Sequence, residues 1–352
     1  MHAWRKHKGN PSPIWEELPI PSTPVTGFLV KLLASGVCHS DQPLLDIEDR
    51  PQFNEKYTLG HEGCGEIIQI GEGVTDKSFK LGDRVALLAV PGCGLDTCSE
   101  CSRDLAQLCP AGMHHGIGQD GFYAEYVAVD VRAAIPLPDG VEPAVAAVAT
   151  DAVTTAYHGI TRRAEVKKEE TTFLFGLGGL GFNALQIVRA IGARVIVSDL
   201  RQEKLDAALK LGVPAEDIVP VGKSVQDFVK ENGLQGRIDT VLEFVGSNQT
   251  NQDAQQIGNH PRCIASWGKI LCVGTLDLVN GLDMKIGIRK RLSIIFTYGG
   301  QYRDLVEVLD LIAKGVIRPQ VELGKLQDFP RVLKELGEGK IKDRIALVSD
   351  PV

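Results

Sequence analysis

The sequence lacks the features that place a protein in a membrane or in the secretory pathway. No window of about 18 uncharged apolar residues occurs in the chain, so we expect no membrane-spanning segment. No apolar run follows Met1, which argues against a secretory signal. We therefore expect a cytoplasmic protein. In that compartment its eight cysteines should be thiols or metal ligands rather than disulfides.

The sequence also lacks a basic stripe, which argues against a nucleic-acid partner. The formal net charge is -7 over 352 residues, and a phosphate backbone would repel it. One short basic run, RKHK at residues 5–8, is interpreted as a solvated strand edge. The chain is 43% hydrophobic and 24% charged, as a globular protein should be, and is long enough for two domains.

The pattern of apolar runs divides the chain into three parts. Residues 1–151 hold short strand-like runs separated by turns, as in an irregular antiparallel β domain. Residues 152–298 alternate apolar strand-length runs with helical patterns, which predicts a parallel, doubly wound sheet. Residues 299–352 hold two helices and a closing strand. The predicted fold class is therefore α/β.

A glycine-rich turn lies near the start of the second part. The segment FLFGLGGLGFNALQ places a G-x-G-x-x-G pattern between an apolar strand and an amphipathic helix. Glycines allow a sharp turn and close approach to a pyrophosphate, and the helix N-terminus offers free N–H groups. The predicted binding residues are Gly176, Leu177, Gly178, Gly179, Leu180 and Gly181. The alternative is a tight turn without a ligand.

The strand after this turn predicts the choice of cofactor. It ends in Asp199, whose carboxylate would accept hydrogen bonds from a ribose diol and repel a 2′-phosphate. We therefore expect NAD rather than NADP. Arg201, two residues on, would weaken this preference.

Half of the cysteines are clustered between residues 91 and 110. Their spacing, C-x4-C-x2-C-x7-C, is typical of a tetrahedral structural zinc site. The predicted ligands are Cys93, Cys98, Cys101 and Cys109. The alternatives are scattered free cysteines or a nucleic-acid zinc ribbon, and the acidic net charge argues against the ribbon. Cys64, Cys263 and Cys272 are interpreted as inert packing residues.

A second set of possible metal ligands is spread over three segments. GVCHSDQ contributes Cys38, His39, Ser40 and Asp41, and LGHEGCGEI contributes His61 and Glu62. The third segment, PAVAAVATDAVTTAY at 143–157, carries Asp151 as its only charged residue. Because a buried unpaired carboxylate is costly, Asp151 should be either a metal ligand or the N-cap of a helix.

Together these segments resemble the zinc-dependent medium-chain alcohol dehydrogenases over essentially the whole chain. The quoted motifs, with GDRV, GFYAEYV, EFVGS and GKIKDRI, occur in the family's order. The resemblance implies a GroES-like catalytic domain built from both chain ends, a central Rossmann domain, and an active site between them. It also implies two zinc ions per chain and NAD.

The resemblance further implies a role for each residue of the site. Cys38, His61 and Asp151 would bind the catalytic zinc, with Glu62 as an alternate ligand, and Ser40 would take the substrate proton. Asp41 would orient the zinc-bound histidine. The expected cofactor contacts are His39 and Arg344 near the pyrophosphate and Thr155 and Val245 beside the nicotinamide.

The sequence departs from the family pattern at three positions. Asp151 stands where many members have a cysteine, although a carboxylate is an acceptable zinc donor. Leu95 occupies the usual position of the first lobe ligand, so Cys93 must reach the metal through a longer loop. Pro43 replaces the histidine of the outer proton relay, so the relay must end at Ser40 and the ribose, pass through water, or use another group.

The expected activity is the reversible oxidation of a primary or secondary alcohol to an aldehyde or ketone. The alternatives are a polyol dehydrogenase, a zinc-free enone or quinone reductase of the same superfamily, and an idle NAD-binding protein. The expected partners are a small alcohol or carbonyl compound and further copies of the chain, with a tetramer favoured over a dimer. The family resemblance places the dimer contact at the strand in SIIFTYGG.

Overall fold

The computed structural model of the chain describes residues 1–46, 52–112, 114–258 and 268–349. Cys263 lies outside these residues. The chain forms two compact units. The first comprises Met1–Thr154, Gly300–Gly315 and Pro319–Val352, and the second comprises Thr155–Gly299 and Val316–Arg318.

The first unit consists mostly of strands, and the second alternates strands with helices. The strands are β1 (His2–His7), β2 (Ile14–Glu17), β3 (Gly27–Val37), β4 (Lys56–Thr58), β5 (Glu62–Ile70), β6 (Arg84–Leu87), β7 (His114–His115), β8 (Gly118–Gln119), β9 (Tyr126–Asp130), β10 (Ala134–Pro136), β11 (Thr171–Phe175), β12 (Arg194–Ser198), β13 (Thr240–Glu243), β14 (Lys269–Cys272), β15 (Ser293–Phe296), β16 (Val321–Lys325) and β17 (Arg344–Val348).

The helices are mostly short. The α-helices are α1 (Asp41–Asp46), α2 (Pro143–Val148), α3 (Thr154–His158), α4 (Gly181–Ile191), α5 (Gln202–Lys210), α6 (Val225–Glu231), α7 (Asn248–Ile257), α8 (Met284–Lys290), α9 (Tyr302–Ala313) and α10 (Phe329–Gly337). Two π-helical turns, Ala149–Val153 and Gly159–Arg163, follow α2 and α3. None of the helices formed by the described residues combines the length and apolar character that a bilayer crossing demands.

The first unit is built around β3. This strand pairs antiparallel with β5, β9 and β17. Six strands of its sheet follow the order β10-β6-β5-β3-β17-β16, and the seventh, β9, pairs with β3 off that path. The side chains of Phe28, Val30 and Leu32 pack into one apolar core with those of Ile67 and Val85. Because β17 comes from the end of the chain, both termini build this unit, as the GroES-like prediction requires.

The second unit is a parallel sheet of order β12-β11-β13-β14-β15. Beyond β12, Ile218 forms a parallel bridge to Val197 and marks a sixth strand position. All four residues of β13 are buried, as expected for a parallel sheet covered on both faces. The predicted fold class, a GroES-like domain with a doubly wound Rossmann domain, is confirmed.

Asp151 lies inside a helical run rather than at its start. The run begins at Pro143 and continues from α2 through the π-helical turn Ala149–Val153 into α3. The N-cap interpretation of Asp151 was therefore wrong. The helix was hidden in the sequence because its residues are almost all small or apolar, which leaves no amphipathic pattern.

The interpretation of residues 5–8 as a solvated strand edge was also wrong. They belong to β1 and the turn after it, and β1 is the middle strand of the sheet β2-β1-β4. Arg5 and Lys6 are 9% and 2% exposed. The Nζ of Lys6 donates to the backbone oxygens of Asn10, at 3.2 Å, and Leu45, at 2.9 Å. A charge run in the sequence gives no sign of such buried acceptors.

Replacing Lys6 with alanine should destabilise the first unit. The change leaves two carbonyl groups without this charged donor, which we expect to cost about 2 kcal/mol. Lys8→Ala is the matched control, because the 3.4 Å ion pair of Lys8 with the exposed Glu55 should contribute less than about 1 kcal/mol. Urea unfolding of the two variants tests this, and equal midpoints would contradict it.

Candidate metal and cofactor sites

The ends of three strands bring one set of polar side chains together. Cys38 directly follows β3, and His61 directly precedes β5, whose Glu62 pairs with Gly36 of β3. Arg344 begins β17, which runs antiparallel to β3 on its other side. The register of these strand pairs brings residues that are far apart in the sequence together at one edge of the sheet.

Four potential metal donors converge at this edge. One ligand atom from each of Cys38, His61, Glu62 and Asp151 lies within 4.8 Å of all the others. The Oδ2 of Asp151 lies 3.5 Å from the Sγ of Cys38 and 3.8 Å from the Nε2 of His61. Cys38 and His61 are 7% and 6% exposed and Glu62 is fully buried. The structure thus brings the sequence-predicted donors together.

The spacing and chemistry of this set fit a zinc ion. Zinc bound at about 2.3 Å to sulfur and about 2.1 Å to oxygen holds these two donors about 3.6 Å apart in a tetrahedron. The Cys38–Asp151 distance of 3.5 Å agrees with that value. A thiolate and a carboxylate also supply the two negative charges that neutralise Zn²⁺. Asp151 stands in a widened π-helical turn, a feature frequent at functional sites.

A buried set of polar contacts holds His61 in place. The Nδ1 of His61 lies 3.1 Å from the Oδ1 of Asp41, which is fully buried. The Oδ2 of Asp41 accepts from the backbone N–H of Cys38 at 2.9 Å and from the hydroxyl of Tyr123 at 2.6 Å. This arrangement favours a proton on Nδ1 and directs Nε2 towards the donor set.

Charged neighbours also set the proton affinity of His61. Burial lowers the pKa of His61, but the charge of Asp41 and hydrogen bonds with Asp151, Asp41 and Cys38 raise it well above its usual value. The site is therefore strongly attractive to positive charge, which a metal cation would supply in place of a proton.

Glu62 is paired with Arg344 in the interior. The guanidinium of Arg344 donates to the Oε1 of Glu62, and both side chains are nearly inaccessible. Burial raises the pKa of Glu62 to about 7 even though the charge of Arg344 lowers it. A β-carbon at Gly36 would lie 1.9 Å from the Oε2 of Glu62, so the backbone packs directly against this carboxylate. The predicted phosphate contact of Arg344 stays a prediction.

Two polar residues next to Cys38 are exposed. The side chains of His39 and Ser40 reach the surface of the first unit. The Oγ of Ser40 lies 3.2 Å from the Nε2 of His61. Ser40 is therefore the accessible hydroxyl beside the donor set, while Pro43 in α1 offers no group that exchanges protons.

The four lobe cysteines form a second donor set. Their sulfur atoms lie within 4.8 Å of one another, with Cys93 to Cys101 at 3.7 Å and Cys98 to Cys109 at 3.8 Å. These distances exclude disulfides, and they match the edge of about 3.8 Å expected for zinc with four sulfur ligands. Leu95, which holds the usual ligand position, is 60% exposed.

The other described cysteines have the character of packing residues. Cys64 is fully buried, and burial raises the pKa of its thiol to about 12. Burial also raises the pKa of Cys272 to about 12. Neither is poised to form a thiolate.

The glycine-rich turn has the shape expected of a phosphate-binding loop. Gly176 ends β11 with φ +84°, which favours glycine. A β-carbon at Gly181 would lie 1.9 Å from the backbone oxygen of Gly176, and one at Gly176 would lie 2.7 Å from Val245. At Gly178 nothing lies within 4 Å. The turn is closely packed at Gly176 and Gly181 and open at Gly178, just before α4 begins.

Asp199 stands beside this turn at the end of β12. Its Oδ2 accepts from the backbone N–H of Leu177 at 2.7 Å, and its Oδ1 accepts from that of Arg201 at 2.9 Å. The guanidinium of Arg201 is 3.7 Å from the same carboxylate. The turn and the acid are thus brought together. Thr155 lies buried in α3 of the same unit.

Two functional candidates were missed in the sequence. Tyr123 holds Asp41, and His114 packs against His61 with ring centroids 6.0 Å apart. The motif GFYAEYV contains Tyr123, but nothing in it indicates a partner 82 residues away. His114 lies in the turn-rich stretch after the cysteine lobe, where no spacing rule applies.

Two protein-family models match parts of this chain. Residues 26–139 match the alcohol dehydrogenase GroES-like domain, and residues 179–314 match the zinc-binding dehydrogenase domain. An alcohol dehydrogenase of Geobacillus stearothermophilus is 29% identical over 322 residues, covering 91% of this chain and 90% of that protein.

Solved structures extend the similarity over almost the whole chain. Acetophenone reductase from Geotrichum candidum, in complex with NAD, is 30% identical with a TM-score of 0.86, covering 99% of this chain and 97% of that one. Alcohol dehydrogenase from Aeropyrum pernix is 26% identical with a TM-score of 0.86, covering 99% of this chain and 100% of that one.

Removing the hydroxyl of Tyr123 should weaken metal binding at the first donor set. In Tyr123→Phe, Asp41 loses one of its two donors to Oδ2 and holds His61 less firmly. We expect zinc affinity at this site to fall roughly tenfold, while the lobe site stays unchanged. Competition with a chromophoric chelator measures both sites on one sample. Tyr126→Phe is the control, and an unchanged affinity in Tyr123→Phe would contradict the prediction.

Proposed function

This chain belongs to the zinc-type medium-chain alcohol dehydrogenases, and we propose that it oxidises an alcohol reversibly to an aldehyde or ketone with NAD. The observation that carries the proposal is the set of Cys38, His61 and Asp151 with the exposed hydroxyl of Ser40 beside it. The names of the relatives, alcohol dehydrogenase and acetophenone reductase, support a substrate with an alcohol or carbonyl group.

The two donor sets support two zinc ions per chain with different tasks. Cys38, His61 and Asp151 would hold the catalytic ion, and Glu62, held by Arg344, is the alternate ligand. Bound there, zinc supplies a Lewis acid that lowers the pKa of a hydroxyl group. The closed set of four lobe thiols would hold a structural ion, which contributes folding energy.

The side chains of the protein would carry out the proton transfer and hold His61 in position. Ser40 would accept the proton of the substrate hydroxyl, because its Oγ is exposed and lies next to His61. Asp41 and Tyr123 would keep the imidazole of His61 fixed during this transfer. Since Pro43 cannot continue a relay, the proton would leave Ser40 through water or the cofactor ribose.

The second unit would bind NAD through its glycine-rich turn. The N–H groups at the start of α4 would face the pyrophosphate and Asp199 the adenosine ribose. Val245, in contact range of Gly176, and Thr155 would border the nicotinamide, with His39 and Arg344 towards the pyrophosphate. The carboxylate of Asp199 favours NAD, and the neighbouring Arg201 is the feature that would admit NADP.

We also propose that the chain forms a homo-oligomer, with a tetramer favoured. No described strand pairs with the outer edge of β15. Large apolar side chains are exposed on that strand and in the stretch before it: Leu276, Leu278, Val279, Leu282, Met284, Ile288 and Phe296. A second copy paired across this edge would cover them.

A substrate screen tests the proposed function. Zinc-loaded protein should reduce NAD with at least one class among primary, secondary, aromatic and polyhydric alcohols. Metal counted on the same sample should give two zinc ions per chain. An active enone or quinone reductase without metal would support the zinc-free alternative, and NADH binding without any turnover would support an idle protein.

Removal of the Asp151 carboxylate should separate catalysis from cofactor binding. Asp151→Ala should retain one zinc ion per chain, lose at least about 100-fold in kcat/KM and still bind NADH, because Asp151 belongs to the first unit and the glycine-rich turn to the second. Glu142→Ala removes an exposed carboxylate at the start of the same helix and serves as the control. Unchanged turnover in Asp151→Ala would remove it from the catalytic metal site.

Replacement of Asp199 should relax the choice of cofactor. Asp199→Gly removes both the ribose acceptor and the repulsion of a 2′-phosphate, leaving Arg201 to attract that phosphate. We expect the ratio of kcat/KM for NAD to that for NADP to fall roughly tenfold or more. The same ratio in variant and wild type would show that Asp199 does not select the cofactor.

A further inference from the structure

His114 borders the proposed catalytic donor set without belonging to it. Its ring lies edge-on to that of His61, with centroids 6.0 Å apart and an interplanar angle of 70°. The charges of His61 and Asp151 both act on its imidazole. His114 has no role in the proposed alcohol oxidation.

The backbone fixes which way the His114 ring points. Its Nδ1 lies 2.8 Å from the carbonyl oxygen of His115, and since a carbonyl only accepts, Nδ1 carries the proton. His115 is itself anchored, because its N–H donates to the carbonyl of Ala89 at 3.0 Å and its ring bonds the carbonyl of Asp120 at 2.7 Å. A neutral His114 therefore presents Nε2 as a hydrogen-bond acceptor.

That acceptor has no partner in the part of the chain that the structure describes. The side chain is half-buried, and Nε2 is not among the atoms sealed from solvent. An oriented acceptor on a ring that packs edge-on against His61 of the donor set is suited to a second donor on the substrate. A hydroxyl on the carbon next to the reacting one supplies such a donor.

We propose that His114 is a specificity-determining residue that selects vicinal diols through a hydrogen bond from their second hydroxyl to Nε2. This inference rests on the proposed function and names its substrate class. A simple alcohol has no group for this acceptor, so the preference would appear as a difference between matched substrates.

Three alcohols with one carbon skeleton provide the test: 2-butanol, 2,3-butanediol and 3-methoxy-2-butanol. Their reacting carbon is the same, and the neighbouring carbon carries hydrogen, a hydroxyl or an ether oxygen. The diol donates and accepts hydrogen bonds, whereas the ether only accepts. The ether therefore distinguishes an accepting His114 from a donating one.

Two variants provide the matched comparison. His114→Gln places a polar atom near the position of Nε2, whereas His114→Asn places one near Nδ1 and leaves the outer position empty. Comparing the ratio of kcat/KM for diol and 2-butanol between proteins cancels the intrinsic reactivity of each alcohol. Dissociation constants for the zinc-loaded proteins, from isothermal titration calorimetry, supply a readout that does not depend on turnover.

We expect the diol-to-butanol ratio to fall roughly two- to tenfold in His114→Asn, the effect of one hydrogen bond, and less in His114→Gln. The ether should behave like 2-butanol in every protein. The proposal would be overturned if wild type and both variants had the same diol-to-butanol ratio, or if that ratio fell equally in both variants. It would also be overturned if the ether were oxidised with the same kcat/KM as the diol. If none of the three alcohols and no member of the broader screen is oxidised, the proposed function itself fails.

Discussion

Charge burial at one edge of the β3 sheet is the constraint on which the proposed active site depends. Asp41, Glu62 and His61 lie there almost without solvent, and the half-buried Asp151 faces them. Buried charges are tolerated only when they are paired. Arg344 neutralises Glu62, and Asp41 lies against His61. In the proposed site, a divalent cation would neutralise the Cys38 thiolate and the Asp151 carboxylate.

The register between paired strands, rather than the local sequence, brings these charged groups together. Antiparallel pairing of β3 with β5 and β17 places their ends together, and the π-helical turn brings Asp151 to the same place. Each donor thus stands on, or next to, a regular element. Elements of this kind hold side chains more firmly than free loops do, which suits a site that must fix a metal geometry.

The strongly patterned parts of this fold could be predicted from the sequence. The run GFLVKLLASGV coincides with β3, and the alternation of apolar runs and helices predicted the parallel sheet of the second unit. The helical run from Pro143 could not be predicted, because a helix buried on all sides has no polar face to mark its period. Likewise, nothing in RKHK indicated that the buried Lys6 donates to two backbone carbonyl groups.

The metal donors of the site could be predicted from the sequence, but the residues that contact those donors could not. Spacing predicted the cysteine lobe, the family resemblance implied Cys38, His61 and Asp151, and the structure brings each set together. The Glu62–Arg344 pair joins residues 282 positions apart, so only the folded sheet reveals it. The same holds for the contact of Tyr123 with Asp41 and for His114, whose place is set by tertiary packing.

Anomalous diffraction at the zinc absorption edge tests the central claim most directly, on crystals of the protein purified without chelator. The account predicts two peaks per chain. One should lie among the four lobe sulfurs, and the other about 2.0–2.3 Å from the Sγ of Cys38, the Nε2 of His61 and a carboxylate oxygen of Asp151. A second peak bound to Glu62 with Asp151 unbound, or no peak beside Cys38, would contradict it.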